Sequence, residues 1–182
     1  VHRYAEGALR VDEYACLLMF KASGRRPVQI ASIKCKDFSY SPKYTGSPTY
    51  VVQIPRAKVR GGKFRSILKP YALVNSVAQV VELHIKEQTA KVEAALGRRM
   101  TPQELGELPL FIDVNTIEEI QSVSQEALMD YLKSELPHIK RSNLTNRLKS
   151  AVKKLKIISE RTGEPLKSNA YRFRYTLGTR AA

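Results

Sequence analysis

The chain has 182 residues, 43% of them hydrophobic and 26% charged, with 31 Lys and Arg against 17 Asp and Glu for a formal net charge of +14. That length supports one domain with a sizeable core rather than two, and the composition excludes collagen-like and disordered classes. No apolar run approaches the ~20 residues that span a bilayer and the first residues carry no signal-peptide pattern, so the expectation is a soluble, cytoplasmic protein with no membrane partner.

From Val11 to Ala22 the residues Val11, Tyr14, Leu17, Leu18 and Ala22 recur at helical spacing, with Asp12 and Glu13 in the first turn and Gly24 after the end, which predicts a helix. Pro27 suits the first turn of a second, shorter helix that turns Val28, Ile30, Ala31 and Ile33 inward. The Ser, Pro, Gly and Tyr cluster between Ser39 and Pro48 breaks any regular period. Beyond it, Tyr50–Pro55 and Lys63–Lys69 read as strands of a hairpin turned at Arg60–Gly61–Gly62, with Lys36–Tyr40 as a third short strand. Ala72 to about Leu96 carries the apolar stripe Leu73, Val77, Val80, Val81, His84, Ile85, Val92 and Leu96, closed by Gly97. His84 on that stripe reads as a satisfied, partly buried residue rather than a catalyst.

Thr101–Glu104 begins a helical turn or short helix, Leu108–Asp113 is extended, and helices are predicted over Thr116–Leu132 and Asn143–Lys156. In the last of these Leu144, Leu148, Val152 and Leu155 face inward. A final helix runs from about Tyr171 to Ala182 and stops without Gly, Pro or a polar tail, and Val1 is not an initiator Met, so the chain reads as a fragment at both ends. The fold class expected is α+β, mainly α-helical with a small antiparallel three-stranded sheet. Cys16 and Cys35, nineteen apart, and three scattered histidines give no zinc-binding spacing. Two buried thiols and no metal site are expected.

The charge is unevenly spread. Residues 1–53 carry a net +4, residues 54–70 +6 with no acidic group, residues 71–139 −6, and residues 140–182 +10. An acidic segment between two basic ones assigns the positive field to particular surfaces, and the partner this implies is a polyanion: nucleic acid, whose regularly spaced phosphates reward several Lys and Arg in register, ahead of an anionic membrane, for which no basic amphipathic helix stands out.

The chain contains no Gly-rich phosphate loop, zinc-protease motif or nucleophile elbow. Three basic settings remain. Gly24–Arg25–Arg26–Pro27 puts Arg26 at a helix start, where backbone donors and a guanidinium can share one anion; such an arginine, taken alone, is more often a solvated helix cap. Lys58 stands at or near the hairpin tip, where a lysine can enter a groove or merely keep an edge soluble. Arg56, Arg60, Lys63 and Arg65 accompany it as candidate DNA contacts. In Asn169–Ala170–Tyr171–Arg172–Phe173–Arg174–Tyr175–Thr176–Leu177–Gly178–Thr179, a helix would set Tyr171 and Arg174 on one face, with Arg172 as a further DNA contact.

Taken in order, these motifs resemble the catalytic domain of the tyrosine recombinases, the phage-integrase family. Arg26 matches that family's first arginine, after a small-residue turn and before a short helix, and Lys58 its hairpin lysine. Arg174, in Tyr171–Arg172–Phe173–Arg174–Tyr175–Thr176, matches the second arginine of its His-x-x-Arg helix start. The resemblance runs from roughly Leu9 to Ala182 and implies a DNA breaking-rejoining fold. It also implies a site-specific recombinase that cleaves and rejoins strands through a 3′-phosphotyrosyl link without metal or cofactor, working as a homo-oligomer on double-stranded DNA. On this basis Arg26 and Arg174 clamp the phosphate, Lys58 protonates the leaving oxygen, and Tyr171 stands where the family most often has His. Gln29 stands where a carboxylate usually follows the first arginine. The resemblance further implies that the N-terminal DNA-clamping domain is missing and that the nucleophilic tyrosine lies beyond Ala182. The competing class is a non-catalytic nucleic-acid-binding module, and type IB topoisomerases, which share the chemistry, are a lesser alternative.

Overall fold

A computed structural model describes residues 7–41, 49–56, 65–160, 162–167 and 169–173. Helix α1, Val11–Ser23, starts where the Glu13 carboxylate reaches back to accept the Arg10 N–H at 3.1 Å. It ends at Gly24, whose φ of 57° lets its N–H return to the Phe20 carbonyl at 3.0 Å. Its buried face is Tyr14, Ala15, Cys16, Met19 and Phe20. After a three-residue link comes α2, Pro27–Ala31, with proline in its first turn. Ile30, Ala31 and the following Ile33 are buried as expected, but Val28 is exposed, since five residues make barely more than one turn and cannot all face inward.

A short 3₁₀ turn, Cys35–Asp37, then leads into the sheet. Strands β1 (Phe38–Ser41), β2 (Thr49–Pro55) and β3 (Leu68–Leu73) form an antiparallel sheet in the order β1-β2-β3. The central strand carries the buried Val51, Val52 and Ile54. The third strand lies farther along the chain than its predicted span of Lys63–Lys69, pairing Leu68 with Pro55 and Leu73 with Tyr50. It tolerates Pro70, opposite Gln53, because β3 pairs on one side only and a missing N–H is admissible at an edge. Likewise β1 begins at Phe38 rather than Lys36, the 3₁₀ turn having taken the preceding residues.

Pairing of Ala72 and Leu73 with β2 delays the long helix, α3, to Asn75–Leu96. Its buried stripe is Val77, Ala78, Val81, His84, Gln88 and Val92. His84 stacks on Phe111 with ring centroids 4.9 Å apart, and its Nε2–H donates to the Leu110 carbonyl at 2.7 Å, so it is a satisfied core residue. Gln88 serves the same segment from both ends of its amide, donating to Pro109 O at 2.8 Å and accepting from Ile112 N at 3.2 Å. Thr101 and Glu104 cap the short helix α4, Pro102–Glu107, reciprocally. The extended piece that follows is buried at Leu108, Leu110, Phe111 and Ile112, and bonds back to Cys35 and Ile33.

The single helix expected over Thr116–Leu132 is two, α5 (Val114–Ser122) and α6 (Gln125–Lys133). Val123 turns extended and Ser124 caps the second helix through the Ala127 N–H. Helix α7, Arg141–Lys154, buries Leu144, Leu148, Ala151 and Val152 against α1 and α2. One apolar cluster joins α1, β2, the first half of α3 and α7; a second lies beneath α5, α6 and the far half of α3. The fold is mainly helical with a small three-stranded antiparallel sheet, and among the described residues no helix is long and apolar enough to cross a membrane.

Burial shapes the acid response. His84 and His138, the latter donating Nδ1–H to the Ala31 carbonyl at 2.8 Å, are both pushed down to about 4, chiefly by desolvation of the charged ring. The unfolded chain, with histidines near 6.5, therefore takes up protons first as pH falls. Stability declines from about pH 6.5 toward pH 4, by roughly 3 kcal/mol for the buried His84 ring and by less for the partly exposed His138. Replacing His84 by Gln keeps a donor for Leu110 but cannot titrate. Its thermal midpoint, followed by circular dichroism from pH 7 to 4.5, should fall less steeply than that of the parent; an unchanged slope would show that the ring does not set it.

Candidate nucleic-acid interface

The turn after α1 gathers the first predicted group. Gly24 reverses the chain, the Arg25 guanidinium lies over the Tyr71 ring at 6.0 Å, and the Tyr71 hydroxyl donates to the Ala22 carbonyl. Arg26, half-buried, is the cap of α2, and its N–H is accepted by Gln29 Oε1 at 3.3 Å. The same amide group donates through Nε2 to the Pro55 carbonyl at 2.8 Å, fastening the start of α2 to the last residue of β2. Gln29 is therefore a link between the arginine and the hairpin stem. As a carboxylate it could accept the Arg26 N–H but could not donate to Pro55.

Arg56, the next residue, is exposed, and its backbone N–H bonds to Ile67 O at 3.0 Å to close the stem. Lys58, Arg60 and Lys63 lie outside the described residues. Arg65, expected among the DNA contacts, is instead turned inward. Its guanidinium donates to the Ser32 carbonyl at the end of α2 and to Asp37 Oδ1 at 2.7 Å, with side chains only 10% and 3% exposed. A guanidinium so enclosed and neutralised is not offered to a phosphate.

At the other end of the chain, a helical turn at 170–173 is held by buried Ala170 and by Phe173, whose ring packs 6.5 Å from that of Phe20. Phe20 is one turn before Gly24, so this segment sits against the same end of α1 that carries Arg26. Tyr171, 58% exposed, and Arg172 point outward; Arg174 lies outside the described residues. The structure thus brings Arg26, the hairpin stem and the 170–173 turn to one end of α1.

The basic helix α7 divides its cations. Arg147 faces inward, donating to Ile112 O at 2.9 Å beside Asp12 and Asp113, and Lys154 holds the buried Glu13 at 2.7 and 2.8 Å. Lys154 and the Arg10 N–H together keep that carboxyl below its ordinary range despite the opposing effect of burial. Lys140, Arg141, Lys149 and Lys153 are exposed, the last two one helical turn apart on the same side. No local motif marks these four individually, although the excess charge of residues 140–182 points to this segment.

Cys16 and Cys35 are buried free thiols, both pushed up to about 12 by desolvation, and are unsuited to nucleophilic work. Among the described residues, no group of three or more His, Cys, Asp and Glu could hold a metal ion. Comparison with protein-family models, with curated proteins and with solved structures found no match.

Proposed function

We propose that this chain is the catalytic domain of a tyrosine-type site-specific DNA recombinase, of the DNA breaking-rejoining fold. The observation that carries the reading is the gathering of three distant segments at one end of α1: the Arg26 turn, the hairpin stem through Gln29 and Pro55, and the turn before Arg174 through Phe173 and Phe20. The first contains Arg26, and in the sequence the other two lead into Lys58 and Arg174, which lie outside the described residues.

In this reading a tyrosine hydroxyl, giving up its proton to water, attacks the scissile phosphorus as the bond to the 5′-oxygen breaks. Lys58 gives its proton to that oxygen, releasing a 5′-hydroxyl and leaving a 3′-phosphotyrosyl link. A 5′-hydroxyl of a second strand reverses the steps and returns the proton to the lysine. The phosphate ester energy is kept in the link, so the reaction needs no outside energy source. Charge develops on the non-bridging oxygens, where the planar guanidiniums of Arg26 and Arg174 make matched two-point contacts. Tyr171 donates a neutral hydrogen bond to the same phosphate.

Duplex binding uses the exposed cations, including Arg56, Arg172, Lys149 and Lys153. The 182-residue chain should bind duplex DNA with an affinity that falls steeply with salt, and neutralising Lys149 and Lys153 together should flatten the log–log salt slope by about 2. An unchanged slope would remove α7 from the interface. The reading itself is tested with the complete gene product on a nicked duplex whose short cleaved piece diffuses away. A covalent adduct through tyrosine is expected; tight binding with no adduct would favour a non-catalytic binding module.

A further inference from the structure

Resting on the duplex-binding part of the proposed function, we infer that Arg25, braced on the ring of Tyr71, is a binding residue for a backbone phosphate of the duplex. The side chain is half-buried, with its Cζ 6.0 Å from the centre of the Tyr71 ring. Its Nε is enclosed and has no hydrogen-bond partner among the described residues. A guanidinium withdrawn from water in this way calls for a counter-charge, and an aromatic face supplies only a weak one.

The chain offers no counter-charge there. From residue 14 to residue 81 the sequence holds a single acidic group, Asp37. Its two oxygens are engaged, Oδ1 by Arg65 and Oδ2 by the Lys34 N–H, each at 2.7 Å. Among the described residues, the half-buried Arg65, Arg98 and Arg147 each pair with a carboxylate, whereas Arg25 and its neighbour Arg26 pair with none. The support beneath Arg25 is fixed. The Tyr71 hydroxyl donates to the Ala22 carbonyl at the end of α1, and the Arg25 N–H donates to Ser23 Oγ at 3.4 Å. A guanidinium placed on such a platform loses little further freedom when an anion arrives. Its planar fork suits phosphate oxygens, and the exposed Lys21, Arg56 and Lys69 on α1 and the sheet suit a run of phosphates better than a lone carboxylate.

The inference is tested in the complete gene product by equilibrium binding of a short duplex over a series of salt concentrations. Arg25→Met is expected to flatten the log–log salt slope by about 0.9 and to weaken binding roughly 5- to 10-fold near 0.1 M salt. Lys91→Met removes the same charge from an exposed position on the far half of α3 and should leave the slope unchanged. Arg25→Lys should keep the slope and lose part of the affinity, because an ammonium neither lies flat on the ring nor makes a two-point contact. Tyr71→Leu should weaken binding in the parent but not in the Arg25→Met background, since the ring acts through the guanidinium.

An unchanged slope in Arg25→Met would overturn the inference and leave the arginine a packing residue on Tyr71. A flattening matched by Lys91→Met would overturn it too, because it would mark a general effect of net charge. Should Arg25→Met fail to fold by circular dichroism, Arg25→Gln, which keeps a polar head over the ring, is read by the same slope. The recombinase reading fails separately: a parent that binds duplex but forms no tyrosine adduct on a nicked duplex would sink that reading and leave the Arg25 site standing. A parent that binds no duplex would overturn both.

Discussion

Arg26→Ala in the complete gene product should slow covalent attachment to DNA on the order of a hundredfold or more, with duplex affinity changed only a few-fold. Arg26 caps α2 beside a stem fixed by Gln29, so its backbone has a defined place at that helix start, and on the proposed reading its guanidinium favours the charge that develops in the transition state. The proposed duplex binding, by contrast, would be spread over the other exposed cations, each contributing mainly through counterion release. On the proposed reading, in which both guanidiniums act on one phosphate, Arg174→Ala should behave alike. Arg26→Lys should restore little, because an ammonium cannot reproduce a planar two-point contact. The check is a pair of measurements on each variant, single-turnover adduct formation and equilibrium binding at fixed salt. Near-normal adduct formation by Arg26→Ala would refute its role, and parallel loss of binding and cleavage would make it a binding residue only.

Lys34→Met should lower stability by about 3 kcal/mol, read as a thermal midpoint roughly 10 °C lower, with no change in the salt slope of DNA binding. Lys34 is almost wholly buried, and its ammonium places all three hydrogens: on Glu107 Oε2 at 2.8 Å, on Leu132 O at 2.7 Å and on Lys133 O at 3.2 Å. It thereby ties the end of α6 to α4 and to the entry of the sheet. Methionine fills most of the space but leaves two helix-end carbonyls without this donor. Lys36, 2.5 Å from the other Glu107 oxygen, keeps that carboxylate partly compensated, which is why the loss is expected to be moderate rather than complete. A midpoint within 2 °C of the parent would show that the buried ammonium is neutral to stability.

The helices whose ends carry a chemical signal were legible in the sequence. Asp12, Glu13 and Gly24 bracket α1, Pro27 opens α2, and Thr101 with Glu104 marks the start of α4, because each satisfies or terminates backbone groups locally. Where the outcome depends on a distant partner, the reading slipped. Lys63–Lys69 alternates well enough to look like a strand, and Pro70 looks like a terminator until β3 is known to be an edge. The apolar spacing from Ile117 and Ile120 to Leu128 and Leu132 passes smoothly across Ser124, so the break between α5 and α6 could be found only by reading that serine as a cap.

The same distinction governs the candidate site. The helix start after Arg26 and the helical turn at 170–173 follow local pattern, whereas the inward course of Arg65 depends on Asp37, 28 residues away, and no local property of that arginine announces it. Gln29 read as a departure from the family's pattern, and its two-sided amide acquires meaning only when the Pro55 carbonyl is beside it.

The most direct test is a crystal structure of the complete gene product on its duplex, reading the distances from the Arg26 and Arg174 guanidiniums and the Lys58 ammonium to the scissile phosphate. The account predicts all three within hydrogen-bond reach, about 3 Å, of oxygens on that one phosphate. Side chains engaging different phosphates, or opening on separate faces of the protein, would contradict it.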